Sequence, residues 1–162
     1  MALHATKHDL SENVRQSAAE LLQKVLVNAI DLGLQTKQAH WTVKGPNFIG
    51  LHELFDKLND DVQEYVDMVA ERIAILGGTP QGTSQIVSSS TALTSYPLDI
   101  TNGSDHVEAL SSAYAAFAKM VRGAIEEADD FDDVDTEDLL TEVSRGIDKA
   151  LWFIEAHAQA SS

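Results

Sequence analysis

Residues 48–78 read FIGLHELFDKLNDDVQEYVDMVAERIAILGG, and the fold turns on the periodicity of that stretch. Leu51, Leu54, Phe55, Leu58, Val62, Tyr65, Val66, Val69, Ile73 and Leu76 recur at three- and four-residue steps. That spacing gathers apolar groups on one face of an α-helix. Gly77-Gly78-Thr79-Pro80 ends the run, because glycine accepts the left-handed turn after a helix and proline cannot continue one. At about 100° per residue, His52, Asp56, Asp67 and Glu71 fall on a second stripe, within about 100° of arc and roughly opposite the apolar face. They pair at i,i+4, His52 with Asp56 and Asp67 with Glu71, so each pair can share an ion.

The same period extends in both directions. Val14, Ala18, Leu21, Leu22, Val25, Ala29 and Leu32 mark a first helix that opens at Asp9-Leu10-Ser11-Glu12. It runs to His40 or Trp41 within QTKQAHWTVKGPNF, residues 35–48, and Gly45-Pro46 breaks it. Residues 79–103 are rich in Ser, Thr and Gly and contain SYPLD, which reads as a long connection with room for one short helix. Asp105-x-x-Glu108 opens a third helix, with Val107, Leu110, Tyr114, Phe117, Val121 and Ile125 on one face. An acidic turn, EEADDFDDVDTED, leads to a fourth, with Leu140, Val143, Ile147, Leu151 and Ile154. Two tight helix pairs joined by a long link predict an all-α domain, a four-helix bundle with one crossover between helices 2 and 3. This is the ferritin-like arrangement; a simple up-down bundle needs a shorter second connection. The expected division is a flexible N-terminal tail over 1–10, the bundle over 11–157 and a C-terminal tail over 158–162.

The chain has 162 residues, 44% hydrophobic and 23% charged, which suits one globular domain with a sizeable core. It has no cysteine, which excludes disulfide scaffolds, thiolate metal sites and cysteine nucleophiles. Histidine and carboxylate remain as metal ligands. MALHATKHDL lacks the apolar core of a signal peptide, and no apolar run approaches the ~20 residues of a membrane span. The expectation is a cytoplasmic protein with no membrane partner. A net charge of −15, from 26 acidic and 11 basic residues, repels nucleic acid and attracts cations.

Glu-x-x-His, which two helices of the usual ferritin-like di-iron site supply, occurs nowhere in the chain. Asp56 and Asp67 stand eleven residues apart, about 16 Å along a helix, so one helix cannot bring both pairs to one ion. Two copies packed antiparallel about a two-fold axis near residues 61 and 62 can. His52 and Asp56 of one chain then face Asp67 and Glu71 of the other, giving two equivalent split sites per dimer. The simpler alternative is a solvated polar face. His40, just before the chain breaks, can reach the same cluster, although a histidine at a helix C-terminus is also favoured by the macrodipole alone. Trp41 is most simply an apolar anchor. Two imidazoles and three carboxylates suit Fe(II), Mn(II) or Zn(II), and the carboxylates favour Fe(III) once iron is oxidised.

QTKQAHW, KGPNFIGLHELFDKLND, YVDMVAERIAILGG, SYPLDI and DKALWFIE closely resemble the Dps family, the DNA-binding proteins from starved cells, which are miniature ferritins. The resemblance covers roughly residues 10–157. It implies a hollow dodecamer built from two-fold dimers, with ferroxidase centres at the two-fold interfaces. Carried over, His40, Asp67 and Glu71 come from one subunit, and His52 and Asp56 from its neighbour. The implied activity is oxidation of Fe(II), preferably by hydrogen peroxide, with ferric mineral stored inside; Zn or Mn would compete for the two-iron centre. Trp41 is expected beside the centre, where it absorbs stray oxidising equivalents. Asp133, Asp135 and Asp138 are the candidates for an iron-entry pore at the three-fold axis. The alternative function is a nucleoid protein that binds and compacts DNA under starvation or oxidative stress. DNA-binding members carry tails with several basic residues, because affinity comes from neutralising phosphates. Here MALHATKHDL has Lys7 with His4 and His8, and AHAQASS has no basic residue, so DNA binding is expected to be weak or absent. A third reading is a helical bundle that holds zinc passively.

Overall fold

The computed structural model describes residues 1–159. It has five helices in order: α1 Glu12–Thr42, α2 Phe48–Ile75, α3 Ser84–Ser90, α4 Gly103–Asp129 and α5 Val134–Gln159. Four long helices form the bundle, and the short α3 lies in the crossover between α2 and α4, where the sequence leaves room for it. α1 packs on α2 and α4, and α5 packs on α4 and α2. Among the described residues the backbone forms no strand, only an isolated bridge between Lys44 and Asn102. The C-terminal tail expected over 158–162 begins inside α5, and its residues 160–162 lie outside the described ones.

The predicted apolar stripes meet in one core. Leu22, Leu26, Leu32, Phe55, Leu58, Ile73, Leu110, Tyr114, Phe117, Leu140 and Ile147 are fully buried. Helix ends are closed locally. Ser11 caps α1 by accepting a hydrogen bond from the Val14 N–H at 3.3 Å. α2 ends in a Schellman motif: the Gly78 N–H reaches the Ile73 carbonyl at 2.8 Å and the Gly77 N–H the Ala74 carbonyl at 2.9 Å. Gly77 has φ +90°, the left-handed conformation this closure requires. Arg15 of α1 then donates to the freed Leu76 carbonyl at 2.9 Å, a buried cation at the negative end of α2.

Residues 1–10 form no helix and lie along this end of the bundle. The His4 N–H donates to the Gly77 carbonyl at 2.6 Å, and the Leu3 side chain packs on the core. At the acidic turn, Asp132 takes φ 58°, which its short polar side chain tolerates. The next residue, Asp133, starts α5 by accepting from the Thr136 N–H at 3.2 Å and the Thr136 hydroxyl at 2.6 Å. Arg72 of α2 donates to the same carboxylate at 2.6 Å, so a buried ion pair ties α2 to the N-terminus of α5.

Candidate metal centre

α1 and α2 run antiparallel through a five-residue link, Val43–Asn47, which sets the last turn of α1 beside the first turns of α2. His40 and His52 therefore face each other. Their rings stack with centroids 3.8 Å apart and planes 20° from parallel. Each ring is fixed by the other's backbone: His40 Nδ1 donates to the His52 carbonyl at 2.8 Å, and His52 Nδ1 to the His40 carbonyl at 2.8 Å. The His40 carbonyl is available because the last four carbonyls of a helix have no intrahelical partner. A proton held on Nδ1 leaves the Nε2 lone pair free, the state in which imidazole binds a metal.

One turn after His52, Asp56 presents Oδ1 at 3.8 Å from His40 Nε2. Lys37, one turn before His40, also reaches this oxygen. Its hydrogen bond holds the Asp56 carboxyl below the usual range for aspartate, and the neighbouring histidines add to the effect. Lys37 was not among the sequence candidates; its signal was position, because i−3 from His40 shares that residue's helix face.

Asp67 and Glu71 lie about three turns further along α2, exposed, and neither forms a hydrogen bond or ion pair with the described residues. The described residues of one chain contain no group of three His, Asp or Glu placed to hold a metal ion. The structure thus brings His40, His52 and Asp56 together and leaves Asp67 and Glu71 apart. This corrects the division of ligands implied by the resemblance, which set His40 with Asp67 and Glu71. His40 is level with the start of α2, whereas Asp67 is about 16 Å beyond Asp56 along that helix.

Trp41 is exposed, as are Phe48 and Ile49 around the start of α2, and the Phe48 ring lies 5.1 Å from that of His52. Of the pore candidates, Asp133 is only 2% exposed and both of its oxygens are engaged by Arg72 and Thr136, so no oxygen is left to line an opening. Asp135 and Asp138 are exposed on the first turns of α5; one Asp135 oxygen stands 3.7 Å from Arg72 Nη1. No described helix is long and apolar enough to cross a membrane.

A four-helix bundle with a long crossover and an imidazole–carboxylate cluster at the α1–α2 end defines a ferritin-like protein, and the ferritin-like domain model matches residues 19–161. Within that class the chain belongs to the Dps family. It is 46% identical over 162 residues to the "DNA protection during starvation protein" of Agrobacterium fabrum, covering 100% of both chains. DpsC from Streptomyces coelicolor superposes with TM-score 0.94 at 27% identity, over 99% of this chain and 94% of that one. Dps from Microbacterium arborescens, solved in a high iron form, gives TM-score 0.87 at 33% identity, over 98% and 100% of the two chains.

Proposed function

We propose that the protein oxidises Fe(II) at centres completed between two copies of the chain. His40, His52 and Asp56 come from one subunit, and Asp67 and Glu71 from the other. The observation that carries this reading is the reciprocal histidine pair, which holds two Nε2 lone pairs free beside the Asp56 carboxylate. A solvated polar face has no need of that constraint. Exposed Trp41, Phe48 and Ile49 give the surround an apolar character suited to burial against a second copy. Antiparallel pairing of α2 about residues 61 and 62 sets the two half-sites opposite each other.

Iron is the substrate. The imidazoles and carboxylates hold two Fe(II), and the carboxylates favour the ferric product. Two Fe(II) supply two electrons to one hydrogen peroxide; with two protons its O–O bond breaks to give two waters and two Fe(III). Neither iron then releases a hydroxyl radical. The ferric product is stored as mineral within a dodecameric shell, with Asp135 and Asp138 on the entry path. Zn(II) or Mn(II) would compete for the same donors.

DNA binding is weak or absent in this reading. A shell of twelve chains, each of net charge −15, would carry about −180, which opposes contact with a phosphate backbone. Moreover, the N-terminal residues lie on the bundle, with the His4 ring 3.2 Å from the Thr79 hydroxyl. The deciding experiment is anaerobic oxidation of Fe(II) by added peroxide, followed by ferric absorbance. Native protein should exceed the protein-free rate, and a His52→Ala/Asp56→Ala variant that still assembles should not. Equal rates would favour passive metal binding or DNA packaging.

A further inference from the structure

The three tyrosines have different partners. The Tyr114 hydroxyl meets the Thr36 hydroxyl at 3.1 Å in the core, and Tyr65 is half-buried near Asp61 and Glu142. The Tyr96 hydroxyl alone meets a base, lying 2.5 Å from His106 Nδ1. Tyr96 belongs to the crossover segment SYPLD, and His106 to the first turn of α4. The two rings are 14° from parallel. His106 is fully buried, and its Nε2 has no hydrogen-bond partner.

Burial disfavours a proton on the ring more strongly than the Asp105 carboxylate and the Thr42 backbone favour one. With the neutral ring's N–H on the unpartnered Nε2, the Nδ1 lone pair is free to accept the phenol proton. Burial also pushes the Tyr96 phenol upward, so phenol and imidazole are both neutral at rest. Tyr96 lines a cavity of about 430 Å³ with Pro97, Ile100, Asp105 and Glu108, roomy enough for small solutes.

We propose that Tyr96 and His106 form a proton-coupled one-electron redox site, separate from the metal ligands. A one-electron oxidant of the hydroxyl-radical class takes one electron from the phenol and becomes hydroxide. The Tyr96 O–H bond breaks, an N–H bond forms at His106 Nδ1, and the products are a neutral phenoxyl radical and an imidazolium. The Thr42 backbone and Asp105 stabilise that cation. One Fe(II) resets the pair: it becomes Fe(III) while the phenoxyl takes the electron and recovers its proton from His106. Only this reset rests on the ferroxidase reading; the redox pair itself does not.

The test uses the assembled, metal-free protein and flash-generated tris(bipyridyl)ruthenium(III) as the oxidant, with radicals trapped by freezing and read by electron paramagnetic resonance. Native protein should give a neutral tyrosyl signal whose hyperfine coupling to a hydrogen-bonded proton disappears in D₂O. Tyr96→Phe should lose the signal, while Tyr65→Phe and Tyr114→Phe keep it. His106→Gln should lower the radical yield by about tenfold or more, as loss of a positioned proton acceptor does. A radical of equal yield in Tyr96→Phe, or one with no exchangeable coupling in the native protein, would overturn the proposal. The exchange measurement needs no variant, so a poorly folding His106→Gln does not blunt it. Because metal is absent, a missing radical leaves the ferroxidase reading standing, and an inactive iron centre leaves a positive radical result standing.

Discussion

At the residue scale, Lys37 sets a condition on the metal centre. It occupies the Asp56 oxygen that an incoming cation needs, so binding must displace or share it. Replacing Lys37 by Met removes the competitor while keeping an unbranched chain. Exposed ion pairs contribute little, so Zn(II) affinity measured by calorimetry should rise only modestly, by roughly one-and-a-half- to fivefold. Unchanged or weaker binding would show that Lys37 orients Asp56 rather than blocks it. His106 sets a second condition, this time on stability. Burial holds its pKa below the ordinary 6.5, so the unfolded chain takes up a proton before the folded one does. The stability it contributes is complete above that pH and declines as the pH falls below it. Urea unfolding at about pH 7.5 and about pH 5.5 should show a smaller difference for His106→Gln than for the native chain. An unchanged difference would mean that other groups govern the acid limb.

At the element scale, the junction of α2 with α5 shows what could be read in the sequence and what could not. The four long helices were legible because their apolar residues repeat at helical spacing over about fifteen positions or more each, and such stripes must be buried. His52, Asp56, Asp67 and Glu71 were legible as a stripe for the same local reason. The neighbours of His40 were not, because the meeting of α1 with α2 depends on the path of Val43–Asn47, which no single helix encodes. Asp133 was read with Asp135 and Asp138 as part of an acidic surface. Its signal was the Asp-x-x-Thr spacing at the start of α5, an N-cap pattern masked by surrounding carboxylates. The structural role predicts a difference among these aspartates. Asp133→Ala leaves Arg72, 8% exposed, with only the Thr136 hydroxyl and the exposed Asp135 carboxylate 3.7 Å away, and should cost about 3 kcal/mol in denaturant unfolding. Asp135→Ala, at a side chain 82% exposed, should stay within about 0.5 kcal/mol. Similar losses at both positions would argue against the buried pair as the tie between α2 and α5.

At the scale of the whole molecule, the proposed centre can be tested by mixing chains. A His52→Ala/Asp56→Ala chain and an Asp67→Ala/Glu71→Ala chain should each be inactive alone. Dissociated and reassembled together, they form mixed dimers in which one of the two sites receives every ligand intact. With random isologous pairing, about a quarter of all sites should recover. His40→Ala gives the sharper version. It should complement Asp67→Ala/Glu71→Ala but not His52→Ala/Asp56→Ala, because His40 belongs to the same half-site as His52 and Asp56. The reverse pattern would restore the division first expected from the family resemblance, and no recovery in any mixture would point away from a shared centre.

The mutual hydrogen bonds of His40 and His52 have a further consequence. Each imidazole is aimed by the main chain that carries the other, so the aim of each ring does not depend on its neighbour's side chain. Removing one ring takes away the stacking contact but leaves the carbonyl that holds the survivor's Nδ1 proton, and with it the survivor's orientation and tautomer. Each single substitution should therefore leave one competent donor and part of the metal affinity, and the double substitution should lose distinctly more than either.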